Sequence, residues 1–229
     1  MSWTMPTVVG RYLEAGKSQF FPLSEAEINR ATRAYLRVLD SYAIPTRGHV
    51  LVTSLASQVA YFMPLERALA ERHLVISNAD SSVFDAARVE MFARRFNVVA
   101  VLGVTSETLE GLASLGHDPA KVLAGRIVWA TPAAFARLDP DVGFTLRRWA
   151  ELGPAFGVEC SVGDGLHVSS EDWSLEVLDG EIRVTSRLPR LLPFEGQPTG
   201  LFGTVDRTPC KCGSTDARVR LNQTPQVRR

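Results

Sequence analysis

The chain has no apolar run long enough to cross a bilayer, and its first residues, MSWTMPTVVGRYLE, carry neither the basic start nor the apolar stretch of a secretion signal. The expectation is a cytoplasmic protein that engages no membrane. An excess of either charge is missing too. The 25 Lys and Arg balance the 25 Asp and Glu, which removes the bulk electrostatic basis for binding nucleic acid. The one uneven stretch starts at Arg207, with six basic residues against the single acid Asp216, and reads as a solvated end. Cysteine is scarce: three cannot pair into a disulfide framework, and in a reducing compartment clustered thiols point to metal. Neither internal repeats nor low-complexity segments stand out. What is present, 229 residues of which 45% are hydrophobic, is enough to bury one large core or two small ones.

The hydrophobic pattern alternates between helical and strand periods. Ser24 and Glu27 form a capping box, and Ile28, Ala31, Tyr35, Val38 and Tyr42 follow at helical spacing, so residues 24–42 read as an amphipathic helix that ends before Pro45. Strand-like runs follow at 49–53, 74–77, 98–104 and 126–130. Helical segments separate them at 57–72, 82–96 and from Ser106, and a helical pair is expected through Leu152. Beyond Gly153 the character changes: SLEVL and EIRVT flank Asp179-Gly180, a hairpin signal, and the remainder is rich in Gly and Pro. The expectation is an α/β fold, with a mostly parallel sheet flanked by helices over residues 1–155 and a small β-rich module over 156–229.

Two motifs bear on chemistry. GRYLEAGKS, Gly10 to Ser18, ends like a nucleotide-binding P-loop, yet five residues instead of four separate Gly10 from Gly16-Lys17-Ser18. Tyr12 and Leu13 are bulky and Glu14 would set a carboxylate near the phosphates, so a loop or helix end without a phosphate is the reading. The second motif lies in the β-rich module: Cys160, six residues, His167, then 42 residues, then Cys210-Lys211-Cys212-Gly213. Three thiolates and an imidazole form a closed tetrahedral zinc set, and Gly213 suits a tight knuckle with backbone N–H groups aimed at sulfur. The alternative on spacing alone is a buried Cys160, a surface His167 and two free thiols.

The stretches GVECSVGDGLHVSSEDWSLEVLDGEIRVTS and LLPFEGQPTGLFGTVDRTPCKCGSTDARV resemble the phenylacetate-CoA ligase group of adenylate-forming enzymes, specifically over Gly157 to Val219. That family reads there Glu-Cys, Gly-Leu-His, an acidic and aromatic stretch, Gly-Glu-Leu-Val-x-Thr, Pro-Leu-x-Arg-Tyr-x-Thr-Gly-Asp, and Pro-Cys-x-Cys-Gly. Upstream, residues 1–155 resemble its acyl-binding subdomain less closely. The resemblance implies structural zinc at Cys160, His167, Cys210 and Cys212. It also exposes departures. The family's Thr-Gly-Asp is Thr199-Gly200-Leu201, and leucine cannot accept the ribose hydroxyl's hydrogen bond. Arg-Tyr gives way to Gly196 and Gln197, and the family's Tyr-Gly-x-Thr/Ser-Glu is reduced to Trp149-Ala150-Glu151, which keeps a carboxylate able to face magnesium. The family's phosphate loop falls where GRYLEAGKSQFFPLS lies, without its small hydroxyl residues and glycines. The family's N-terminal helical portion and lysine-bearing C-terminal domain have no counterpart, so a truncated relative without ATP or magnesium is expected, with CoA as a candidate cofactor.

Three functions follow: an adenylation-incompetent relative that binds or transfers an acyl or aryl group, free or as a CoA or carrier-protein thioester; a ligase half completed by a partner; or a structural protein. A homodimer or a partner protein fits the apolar surface that missing domains would leave. No catalytic residue can be assigned, since His49, His73 and His117 lack a nucleophile at readable spacing. Ligands of parallel sheets bind beyond the carboxyl ends of strands, which makes Thr53, Ser54, Ser57, Asp80 and Thr105 pocket candidates beside Glu151.

Overall fold

The computed structural model describes residues 5–139 and 143–222; Arg228 and Arg229 of the basic end lie outside them. The chain opens with a hairpin, β1 (Val8–Glu14) and β2 (Lys17–Leu23), paired along its full length. Ala15 and Gly16, both at positive φ, form its two-residue turn. GRYLEAGKS is therefore neither a loop nor a helix end. Its first glycine is a packing residue: a Cβ at Gly10 would lie 2.4 Å from Ala60 Cβ.

Next comes α1 (Glu25–Leu39), whose capping box is formed as the sequence predicts, with Glu27 Oε2 accepting from Ser24 N and Ser24 Oγ accepting from Glu27 N. Then β3 (His49–Thr53), α2 (Val59–Glu71), β4 (Val75–Ala79), α3 (Ala86–Arg95), β5 (Val98–Val104), α4 (Ser106–Ser114), α5 (Pro119–Leu123), β6 (Ile127–Ala130) and α6 (Pro132–Phe135) alternate. Six strands follow without a helix between them among the described residues: β7 (Thr145–Leu152), β8 (Ala155–Glu159), β9 (Leu166–Val168), β10 (Trp173–Leu178), β11 (Glu181–Ser186) and β12 (Gln197–Asp206). The series closes with β13 (Ala217–Leu221).

All strands after the hairpin join one sheet in the order β10-β11-β12-β13-β9-β8-β7-β6-β5-β3-β4. The β4-β3-β5-β6-β7 portion is parallel and the rest antiparallel. The sheet is therefore mixed, and the mostly parallel sheet expected from the sequence accounts only for its first five strands. Of the helical pair expected through Leu152 only α6 forms, and the stretch after it is the strand β7. Leu146, Trp149 and Ala150 mimic a helical period because β7 is covered on both faces and feeds three cores.

Alternation in the parallel strands splits the interior. Val50, Val52, Ala100 and Leu102 face α1, α2 and the hairpin, whereas Leu51, Val101 and Val104 face the side of α3 to α6. The buried indoles are satisfied: Trp149 Nε1 donates to Tyr35 Oη at 3.0 Å, and Trp129 Nε1 to Tyr42 Oη at 3.1 Å. Ion pairs fasten α1 to the antiparallel half. Arg30 Nε meets Asp172 at 2.5 Å, Arg37 Nε meets Asp216 at 3.0 Å, and the buried Arg190 lies between Glu27 (3.1 Å) and Asp172 (3.4 Å). None of the described helices is long and apolar enough to cross a membrane.

Gly103 interrupts the pairing of β5 with β6 at φ 95°, and a Cβ there would sit 2.2 Å from Thr53 O and 2.8 Å from the Phe62 ring. Gly103→Ala should cost about 2–3 kcal/mol through strain and overpacking, read as a lower urea midpoint at unchanged slope.

Candidate functional site

Three places gather the residues singled out in the sequence. The first is the thiol cluster. Cys160 follows β8, His167 sits within β9, and Cys210 and Cys212 lie in the turn between β12 and β13, so strand pairing brings together residues 50 positions apart. Their ligand atoms all lie within 4.8 Å of one another. Cys160 Sγ and Cys210 Sγ are 3.8 Å apart, and Cys212 Sγ is 3.7 Å from His167 Nε2. Sulfurs bound at about 2.3 Å on a tetrahedral ion stand about 3.8 Å apart, so the cluster has the dimensions of a metal site and not of a disulfide.

The surroundings suit that use. Burial pushes the Cys160 thiol up to about 12, although the N–H groups of Val162 and Gly163 reach its sulfur; a metal would displace that proton. At Cys210 burial acts in the same direction, but the Cys212 N–H and the neighbouring thiols outweigh it and hold the group below its ordinary value. Burial keeps His167 low, hence neutral and able to ligate. Its other nitrogen, Nδ1, is buried without a hydrogen-bond partner among the described residues. The N–H of Gly213 closes the knuckle by donating to Cys210 O rather than to sulfur.

The second place is where the nucleotide motifs of the resemblance fall. They do converge, but on each other. Gln197 Nε2 donates to Glu14 Oε1 at 3.0 Å, and Gln197, Pro198 and Tyr12 lie beside Gly153. Glu151 points inward and accepts from Gln58 Nε2 at 2.7 Å; burial raises its pKa, against the pull of Gln58 and Arg11. Thr199 Oγ1 donates to Ile182 O and accepts from Leu201 N, while Gly200 N donates to Glu181. The β1–β2 turn spans two residues, which leaves no loop of N–H groups to converge on an anion.

The third is a cleft of about 300 Å³ at the carboxyl ends of β3 and β4. Val59, Phe62 and Met63 of α2 give it an apolar floor, and Ser54, Glu66, Asn78, Asp80 and Arg88 a polar rim. Ser54 and Asp80 thus stand where the sequence places them. Thr53, Ser57, Thr105 and Glu151 are not part of its lining. Thr53 is fully buried, with Oγ1 donating to Leu102 O, and Thr105 caps α4. Phe62, Met63 and Glu66 were read as helix residues only; their position in the first turns of a helix that follows a parallel strand was the available signal.

No protein-family model and no curated protein matches the sequence. Among solved structures, 2-hydroxyisobutyryl-CoA ligase in the postadenylation state with 2-HIB-AMP aligns at a TM-score of 0.68 and 17% identity, over 93% of this chain and 50% of the ligase. Apo MatB from Rhodopseudomonas palustris aligns at 0.57 and 15% identity, over 96% and 48%. ATP-bound MatB from the same organism gives 0.58 and 14% identity, over 96% and 49%. The chain thus has the fold of part of the adenylate-forming acyl-CoA ligases and spans about half their length. At this identity the likeness is one of fold.

Two outcomes follow from the geometry. Protein purified from metal-supplemented medium should carry close to one equivalent of metal by elemental mass spectrometry. Cys212→Ser and His167→Ala should lose it, at a cost of about 4 kcal/mol when free metal exceeds Kd a thousandfold. For Glu151, a raised folded pKa means that the folded state binds more protons than the unfolded one. The group therefore favours folding at low pH, and that contribution fades as pH rises from the ordinary value of 4.5 through the raised one. Glu151→Gln, which keeps the acceptor for Gln58, should be more stable than the parent at pH 7, and the difference should close toward pH 4 in paired urea denaturation curves.

Proposed function

We propose that this chain is a non-adenylating relative of the phenylacetate-CoA ligase group, holding a small acyl or aryl group, as free acid or as a CoA or carrier-protein thioester, in the cleft beyond β3 and β4. The observation that carries this reading is the two-residue turn of the β1–β2 hairpin. A triphosphate needs several backbone donors converging from a loop, and here Glu14 and Lys17 close the strand pairing on either side of Ala15-Gly16. Glu14 in addition directs a carboxylate to Gln197, at the place the resemblance gives to nucleotide. Leu201 offers no acceptor to a ribose, and the half-buried Glu151 is engaged by the amide of Gln58.

The same reading assigns zinc to Cys160, His167, Cys210 and Cys212. Soft thiolates with one neutral imidazole suit it, and four protein ligands leave no open position, so its contribution is a cross-link between the β8–β9 and β12–β13 connections. Cys160 and Cys210 are buried in the core that also receives α1, so the ion would fix the part of the antiparallel half that α1 rests on. The acyl-binding role belongs to the cleft, which at about 300 Å³ admits one ring or a short chain over Phe62 and Met63.

Calorimetric titration of the zinc-replete chain with magnesium-ATP should show no saturable heat up to millimolar nucleotide. Saturable binding at micromolar ATP would overturn the non-adenylating reading.

A further inference from the structure

The cleft of the preceding section has a charge pattern that a carboxylate or phosphate ligand would not select. Two of its rim residues, Glu66 and Asp80, are acidic, and Arg88 is the one cation among the residues that line it. Arg88 is not free: its Nε pairs with Asp85 Oδ1 at 3.2 Å, and the other oxygen of Asp85 accepts from Asp80 N at 2.7 Å. The Asp80 carboxylate has no donor among the described residues. Glu66 has only the neutral amide of Asn78, at 2.7 Å. With Asp85 cancelling Arg88, the rim is left with two uncompensated carboxylates.

The floor beneath that rim is apolar and fixed. Phe62 is only 3% exposed, its ring held between Gly103 and Trp149, whose ring centroid is 4.8 Å away. Val59 and Met63 extend the floor on either side of it along α2. A ligand matching both layers has an apolar body to cover the half-exposed Val59 and Met63 and a cationic head between Asp80 and Glu66.

We infer that the cleft binds an ammonium group carried on a small aryl or alkyl body, so that the acyl group held there is an aminoacyl one. This rests on the reading of the cleft as an acyl site. Charged hydrogen bonds from the ammonium to Asp80 and Glu66 supply selectivity, and the volume of about 300 Å³ limits the body to about one ring. The pantetheine and phosphates of a thioester would lie outside, where Asp80 and Glu66 would not face them.

Three probes that share one phenyl ring test this by calorimetry at pH 6, where both amines are protonated: 2-phenylethylamine, 3-phenylpropanoate and the methyl ester of phenylalanine, which keeps both the ammonium and the acyl carbon. The two ammonium compounds should bind saturably, lose affinity as salt rises, and lose about tenfold in affinity in Asp80→Asn and in Glu66→Gln. Both substitutions are at the accessible rim and should leave the fold intact, which circular dichroism checks. Binding of 3-phenylpropanoate in preference to the amine would overturn the ammonium assignment and leave the acyl reading standing. Amine binding that is indifferent to both substitutions would also overturn it. No binding of any of the three would remove the acyl reading and the ammonium assignment with it.

Discussion

The rest of the structure depends on a change of direction at β7. One edge of that strand pairs parallel with β6 and the other antiparallel with β8, so the βα half ends and the meander begins within eight residues. Leu146 enters the core under α3 to α6, Trp149 the core under α1 and α2, and Leu152 the core of the meander. Trp149 also donates to Tyr35 and so ties α1 to the same strand. Because β7 is buried on both sides, the parallel half and the meander cannot shift register independently. The thiol cluster inherits this rigidity, since Cys160 leaves β8 beside the loop that Arg147 holds through the Cys160 and Ser161 carbonyls.

Much of this was legible in the sequence, for identifiable reasons. The α1 capping box is a local signal, and Ser24 and Glu27 make it without outside help. VVAVLGV, short and rich in β-branched valine, reads as a buried strand and is one. Cys160, His167, Cys210 and Cys212 were readable as a set because thiols are so rare in this chain that their clustering carries weight. Other features were not legible because they depend on neighbours distant in sequence. Leu146, Trp149 and Ala150 look helical until the three cores around β7 are known. GRYLEAGKS looks like a loop until strand pairing assigns Ala15-Gly16 a two-residue turn. Ser54 and Asp80 follow from the rule about strand ends, but Phe62, Glu66 and Arg88 complete the cleft from two different helices.

The two halves divide the work. The antiparallel half carries the thiol cluster and the ion pairs around Asp172, Asp216 and Arg190. The parallel half carries the open cleft, with its polar groups on strand ends and helix starts, where they can face solvent without breaking the sheet. Between them, the region the resemblance gives to nucleotide is closed by contacts of the protein with itself. On the proposed reading, a change there is felt in stability and a change at the rim of the cleft in ligand affinity.

The reach of the α1 ion pairs bears on how the chain is made. Arg30 waits for Asp172, 142 positions later, Glu27 for Arg190, 163 later, and Arg37 for Asp216, 179 later. During synthesis from the N-terminus, α1 can pack on β3 and β5 and Glu25 can meet Arg67 of α2, but Glu27, Arg30 and Arg37 find no charged partner until the antiparallel strands have been made. Until then these three charges stand unpaired beside half-covered apolar surface, and their pairing is a long-range closure of the kind that is slow to form.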